Sequence, residues 1–202
     1  MLKTYLNKQV IWFLMSRNID DKTILDKFTE DFTRIAEKHT RYAIVGGFIA
    51  IVHGRSRGTE DIDMIIEKLP KDRFILLHND LANNNFECIQ SENPETIYEY
   101  LENKDSVRYI KKGQFVPEME IKFAKDLLDQ HVLNTRIKIP ETKLDVYFAN
   151  IEATIAFKEE LLGSDKDMED AKHLRILYKN NLKEKEIDNL KREIRRMRLG
   201  KR

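Results

Sequence analysis

The spacing of apolar and polar positions divides the chain into helical and extended stretches. Ile24, Phe28, Phe32 and Ile35 recur every three or four residues, which predicts an amphipathic helix capped by Asp20 or Asp21. Val10, Phe13 and Leu14 have similar spacing, so residues 1–41 read mainly as a helical cover for a sheet. Tyr42–Val45 is a short apolar run closed by glycine, as expected of a buried strand. Phe48–His53 is too short for periodicity to decide and is expected to be a short helix. A second strand begins at Asp61 and runs through Ile62, Met64, Ile65 and Ile66. A helix is expected over 69–85, after Pro70, ending at the turn signal Asn83-Asn84-Asn85. Further strands are expected at Phe86–Gln90, Val107–Ile110, Glu118–Phe123 and Leu144–Phe148, with a short helix from Asn93 or Glu95 to Tyr100. Val107–Ile110 and Glu118–Phe123, the fourth and fifth of the six expected strands, are joined across Gly113 and Pro117, as expected of a hairpin. From about residue 150 onward the pattern is helical. The fold class is therefore α/β (α+β), a mixed sheet flanked by helices with a C-terminal helical region. Three parts follow: 1–41 as helical cover, 42–149 as core, and 150–202 as helices with a basic tail.

Composition adjusts this picture in a few places. The chain has 202 residues, 41% of them hydrophobic and 35% charged, which suits a globular protein with a heavily charged surface. The net charge is only +1, so any nucleic-acid binding would depend on local patches. One such patch is the tail: residues 179–202 hold ten basic and four acidic side chains. It could track an RNA or DNA backbone, or be a solvated helix that frays. It lacks interleaved aromatics for base stacking. The lone Cys88 excludes an internal disulfide, reads as a packed strand residue and fits a reducing, cytoplasmic location. The apolar patch Val10–Met15 is far shorter than the roughly 20 residues needed to span a bilayer, so no membrane partner is expected.

The candidate chemistry lies in residues 42–66. Gly46 and Gly47 allow backbone angles closed to other residues and let a ligand approach the main chain. They stand where a helix would begin, with unpaired N–H groups suited to phosphate. They could equally be a tight strand-to-helix turn. Asp61 and Asp63, two apart on a strand, share one face, with Ile62 and Met64 on the other. Paired carboxylates repel unless a cation lies between them, and hard oxygens suit Mg²⁺ or Mn²⁺. Alternatively, one caps a turn and the other is solvated. Arg55 and Arg57 could fork onto phosphate or be solvated loop residues. Thr59 either holds the turn or faces the ligand. His53 reads as packing or capping rather than as a ligand.

Together, Gly46-Gly47, His53-Gly54-Arg55-x-Arg57-x-Thr59 and Asp61-Ile62-Asp63 resemble the nucleotidyltransferase family of the DNA polymerase β superfamily. The likeness is closest to small prokaryotic abortive-infection (AbiEii-like) nucleotidyltransferases. Lys158, within Ile155-Ala156-Phe157-Lys158, and Lys166-Asp167-x-x-Asp170 look like that family's C-terminal lysine and Lys-Asp-x-x-Asp motifs. The resemblance implies a third carboxylate on a later strand. Glu118-Met119-Glu120-Ile121-Lys122-Phe123 alternates, and Glu120, in mid-strand, is the chosen position. The family usually has aspartate there. Bland alternatives stand beside these motifs: Ser164 and Asp167 look like a helix cap after a helix ended by Gly163, and Lys158 could reach a triphosphate or lay its stem over the core.

The resemblance implies transfer of an NMP group from an NTP to an acceptor, with release of pyrophosphate. Asp61, Asp63 and Glu120 would be catalytic and would hold Mg²⁺ or Mn²⁺. Gly46, Gly47, Arg55, Arg57, Thr59 and Lys158 would contact the nucleotide. The acceptor would be RNA or tRNA (bound through the basic tail), a protein or a small molecule. A toxin-like role would bring a cognate antitoxin-like partner. The alternative is an inactive member serving as a nucleotide-binding or protein-partner module.

Overall fold

The structure is a computed structural model describing residues 22–59 and 61–199. The expected helix around Val10, the caps Asp20 and Asp21, and the last basic residues lie outside the described residues. The first described helix, α1 (Ile24–Ala36), is capped by Thr23 in place of either aspartate. Thr23 Oγ1 accepts from the Asp26 N–H at 3.1 Å, and Asp26 Oδ2 accepts from the Thr23 N–H at 3.0 Å, which satisfies two orphan donors at once. Phe28, Phe32 and Ile35 are buried as the spacing requires, while Ile24 at the first helical position is exposed.

Seven strands form one mixed sheet. They are β1 (Tyr42–Val45), β2 (Asp61–Ile66), β3 (Phe86–Cys88), β4 (Val107–Lys111), β5 (Glu118–Phe123), β6 (Ile137–Lys138) and β7 (Tyr147–Phe148), in the order β3-β4-β5-β2-β1-β7-β6. The central ladder is β2 with β5, parallel over six residues from Asp61↔Glu118 to Ile66↔Phe123. β1 runs antiparallel to β2, and β4 antiparallel to β5 as the predicted hairpin. Because side chains alternate, Met119, Ile121 and Phe123 of β5 are buried on one face, and Glu118, Glu120 and Lys122 lie on the other.

The helices are α2 (Gly47–Val52), α3 (Lys71–Asn83), α4 (Pro94–Glu102), α5 (Leu127–Thr135), α6 (Ile151–Ala156), α7 (Asp165–Leu177) and α8 (Glu184–Leu199). The apolar sheet face meets α1, α3 and α4: Phe123 packs edge-on against Phe74 and Tyr98, and Phe32 against Phe86 and Tyr109. One contiguous hydrophobic core runs from Phe28 to Ile194.

Several expectations are corrected. Residues 124–143, for which no element was expected, contain α5 and β6; Asp126 caps α5 by accepting from the Leu128 and Asp129 N–H groups. The strands at 86–90 and 144–148 shorten to 86–88 and 147–148. The helix at 151–162 changes at Phe157 to a π-helical turn that ends at Gly163 (φ 70). α8 does not read as a freely solvated helix, because Ile187, Leu190 and Ile194 are buried. Its basic face is partly neutralised: Lys191 pairs with Glu159 at 2.5 Å and Arg195 with Glu160 at 2.7 Å. Among the described residues, no helix is long and apolar enough to cross a membrane.

If α8 shares the core, Ile194→Ala will destabilise the protein by about 2–4 kcal/mol in urea unfolding, with one cooperative transition. A separate early transition, or an unchanged midpoint, would contradict a shared core.

Candidate active site

β1 ends in Gly46, whose φ of 73° and ψ of −146° are closed to ordinary side chains. Space gives a second reason for glycine. Val45 lies opposite Asp63 in the ladder, and a Cβ on Gly46 would collide with the Asp63 carboxylate. A Cβ on Gly47 would stand 2.8 Å from Arg57 Cζ. The two glycines therefore let a carboxylate and a guanidinium lie directly on the main chain. The Gly47 position read from sequence as a phosphate contact is covered by Arg57.

Asp61, Asp63 and Ile65 share the polar sheet face, and parallel pairing sets Glu118 beside Asp61 and Glu120 beside Asp63. The Asp63 carboxyl is pushed up to about 6, first by burial and then by the charges of Asp61 and Glu120; Lys122 and Lys158 oppose the shift. Asp61 is exposed and accepts from Thr59 Oγ1 at 2.8 Å, so Thr59 holds this turn. Glu120 has a partner on the neighbouring strand. Arg108, its register partner on β4, donates from Nε to Glu120 Oε2 at 3.0 Å. Among the described residues, no three acidic, histidine or cysteine side chains converge as a ready-made metal centre. The donors on this face are nonetheless hard carboxylate oxygens. A divalent cation at Asp61 and Asp63 fits that chemistry and would relieve the unfavourable charge on Asp63.

Behind this row lies a buried ion cluster. Ser164 caps α7 by accepting from the Asp167 N–H at 3.2 Å. One turn later, Asp170 is fully buried. Its carboxylate accepts from Lys158 Nζ at 2.7 Å, from Arg57 at 2.5 Å and from Arg55. Lys158 also reaches Asp167 at 3.0 Å. Burial lowers the Lys158 ammonium, and the hydrogen bond to Asp167 opposes this. Lys166 takes part through its backbone carbonyl, which accepts from Arg55 at 3.0 Å, while its side chain is not among the cluster's contacts. Arg57 Nε is buried without a partner, an unmet donor beside the glycines. Three cations placed separately by the sequence reading thus meet on one carboxylate, a meeting that residue spacing could not reveal.

His53 is buried at the end of α2. Its Nδ1 donates to the Ile49 carbonyl at 2.6 Å, so Nε2 accepts from the Tyr178 hydroxyl at 2.7 Å. Burial lowers it to about 4. It is a packed, neutral histidine with both nitrogens engaged. Beside Asp63 and Gly46 opens a cavity of about 330 Å³ between the sheet, α5, the π-helical turn and α8. Lys122 lines it, and neither Lys122 nor Arg108 was singled out from sequence. The alternation of β5 put Lys122 on the Glu120 face, whereas only strand register reveals Arg108.

No protein-family model matches the chain, and no curated protein matches its sequence. Among solved structures, the antibiotic-resistance factor ANT(2'')-Ia is similar, with a TM-score of 0.54 over 87% of this chain and 94% of that one. The fold is nucleotidyltransferase-like. At 13% identity the likeness concerns the fold alone.

Two outcomes test the cluster and the packed histidine. Asp170→Asn, which leaves buried cations short of a counter-charge, will destabilise the protein by on the order of 3–5 kcal/mol in denaturant unfolding. His53 is held neutral when folded, so its contribution is present above its ordinary value of 6.5 and is lost as pH falls towards about 4. Wild type will therefore lose about 2 kcal/mol relative to His53→Gln between about pH 7 and about pH 5. Asp63 has the opposite pH dependence, but it is present in both proteins and cancels in that comparison. Equal slopes would show that His53 protonates freely in the fold.

Proposed function

We propose that the protein is a metal-dependent nucleotidyltransferase that moves an NMP group from an NTP to an acceptor and releases pyrophosphate. The observation that carries this reading is the seating of Asp63 on Gly46, with Asp61 on the same face and Glu120 in register beside it. A partly desolvated Asp63 crowded by the charges of Asp61 and Glu120 has no structural use of its own, since it costs stability without a cation. Mg²⁺ or Mn²⁺ held by Asp61 and Asp63 would neutralise phosphate charge and make the acceptor hydroxyl more acidic. Glu120 would join that set once released from Arg108. The residues' own part is positioning and electrostatic preorganisation. Arg57, whose guanidinium carbon and terminal nitrogens lie against Gly47 and whose Nε lacks a partner, is placed to receive a phosphate oxygen. Asp170 fixes the guanidinium from the far side, so Arg57 need not reorganise. Lys158 adds positive charge next to Asp63, and Arg55 holds the loop to α7.

For the acceptor, a small molecule is favoured over RNA. The structurally similar ANT(2'')-Ia is named an antibiotic-resistance factor, with substrate-regulated conformation dynamics. The basic tail that suggested RNA has Lys191 and Arg195 committed to Glu159 and Glu160. A toxin-like role with an antitoxin-like partner would show as growth arrest on expression, relieved by that partner. A second reading is a nucleotide-binding module without turnover. It is favoured by the Arg108–Glu120 pair, which already gives the third carboxylate a counter-charge.

Pyrophosphate release from each common NTP with Mg²⁺, with RNA or small hydroxylated acceptors present, tests the proposal. Release is expected to fall at least about 10³-fold in Asp61→Asn and in Asp63→Asn, with cooperative unfolding retained. Mg²⁺ will raise the melting temperature of wild type but not of Asp63→Asn. Undiminished turnover in either variant would remove the assigned roles. Metal-dependent NTP binding without release would support the second reading.

A further inference from the structure

The cavity beside Asp63 has a composition that the transfer chemistry does not require. Its walls include Ile65, Leu128, Val132, Phe157, Leu161 and Met197, so most of its depth is apolar. Its volume of about 330 Å³ lies at the lower end of the range for small-molecule sites. The charged groups in it are unequal. Asp126 is occupied with the N–H groups that open α5, and Asp129 Oδ2 accepts from the Lys125 N–H at 3.1 Å. Lys158 is committed to Asp167 and Asp170. Arg198 donates to the Leu161 carbonyl. Lys122 and Lys125 also line the cavity, and among the described residues neither has an ion-pair partner. Lys122 is fixed on β5, opposite Ile65 and two residues beyond Glu120, so it stands on the carboxylate face in the cavity wall. The Lys122 charge is felt by Asp63 and Asp129, which also line the cavity, but it pairs directly with neither, so a half-buried ammonium in mostly apolar walls still lacks a contacting anion.

We propose that this cavity binds the acceptor, a small hydroxylated organic acid whose apolar body fills the pocket and whose carboxylate meets Lys122, with Lys125 supporting it. This rests on the nucleotidyl-transfer reading and names the substrate class for the same site. The acceptor's hydroxyl oxygen forms the bond to the α-phosphorus of the NTP. The bond from that phosphorus to the α–β bridging oxygen breaks, pyrophosphate leaves with the electron pair, and the hydroxyl proton passes to solvent. A polycationic acceptor would set its charge against Lys122 and bring polar groups to apolar walls, so it is disfavoured.

The test separates binding from turnover. The full chain, free of metal and NTP, is titrated with 8-anilinonaphthalene-1-sulfonate, an apolar anion, and with uncharged N-phenyl-1-naphthylamine. One-to-one binding of both is expected. Lys122→Gln should weaken the anion at least about tenfold and the neutral probe less than about twofold. Val132→Phe, which fills the cavity, should abolish both; Leu161→Trp serves the same purpose if that variant does not fold. Hydroxylated carboxylates should displace the anionic probe, and with NTP and Mg²⁺ should stimulate pyrophosphate release more than cationic alcohols of similar size. Indifference of the anionic probe to Lys122→Gln, its insensitivity to both filling variants, or its displacement by metal-free NTP would overturn the proposal, the last by assigning the cavity to the nucleotide. If the probe and variant results hold and no acceptor supports release, the acceptor assignment and the transfer reading fall together while the anion site stands.

Discussion

The carboxylate of Asp170 is the constraint on which the candidate site depends. It is fully buried, and a buried charge is tolerated only where opposite charges and hydrogen bonds replace water. Here the replacements are Lys158 from the π-helical turn and Arg55 and Arg57 from the loop after α2. One side chain thus ties α7 to a loop more than a hundred residues earlier. That tie fixes the guanidinium that lies on Gly47, and the same loop leads into β2 and its aspartates.

Electrostatic cost is arranged in layers around that tie. The front layer holds Asp61, Asp63 and Glu120, where negative charges crowd and Asp63 is partly desolvated. The rear layer sets three cations, Lys158, Arg55 and Arg57, against Asp167, Glu169 and Asp170, with an Arg57 donor left unmet. Metal at the front and phosphate between the layers would satisfy both. Arg108 provides a local counter-charge for Glu120 where it stands, which helps the carboxylate row to be tolerated in the fold.

The C-terminal helices have two roles with different physical origins. α7 contributes charge, through Asp167 and Asp170. The π-helical turn and α8 contribute apolar surface, through Phe157, Leu161, Ile194 and Met197, and close the cavity beneath the carboxylate face. The acidic residues Glu159 and Glu160 hold α8 by its basic side chains while its apolar face enters the core. This arrangement gives Lys191 and Arg195 a structural use within the chain.

Local patterns determined much of this protein. Alternation in Glu118–Phe123, helical spacing at Phe28, Phe32 and Ile35, and glycine before α2 are set by backbone geometry within a few residues, so they could be read directly. The common face of Asp61 and Asp63 follows from the same geometry. What tertiary structure decided involves partners distant in the chain. No spacing rule links Asp170 to Arg55 and Arg57, or Arg108 to Glu120, because those contacts are created by helix packing and strand register. α5 and β6 escaped notice because a half-exposed nine-residue helix and a two-residue strand carry too little periodicity to stand out. The cavity beside Asp63 has no sequence signature at all, since its walls come from three strands, three helices and a π-helical turn that meet only in the folded chain.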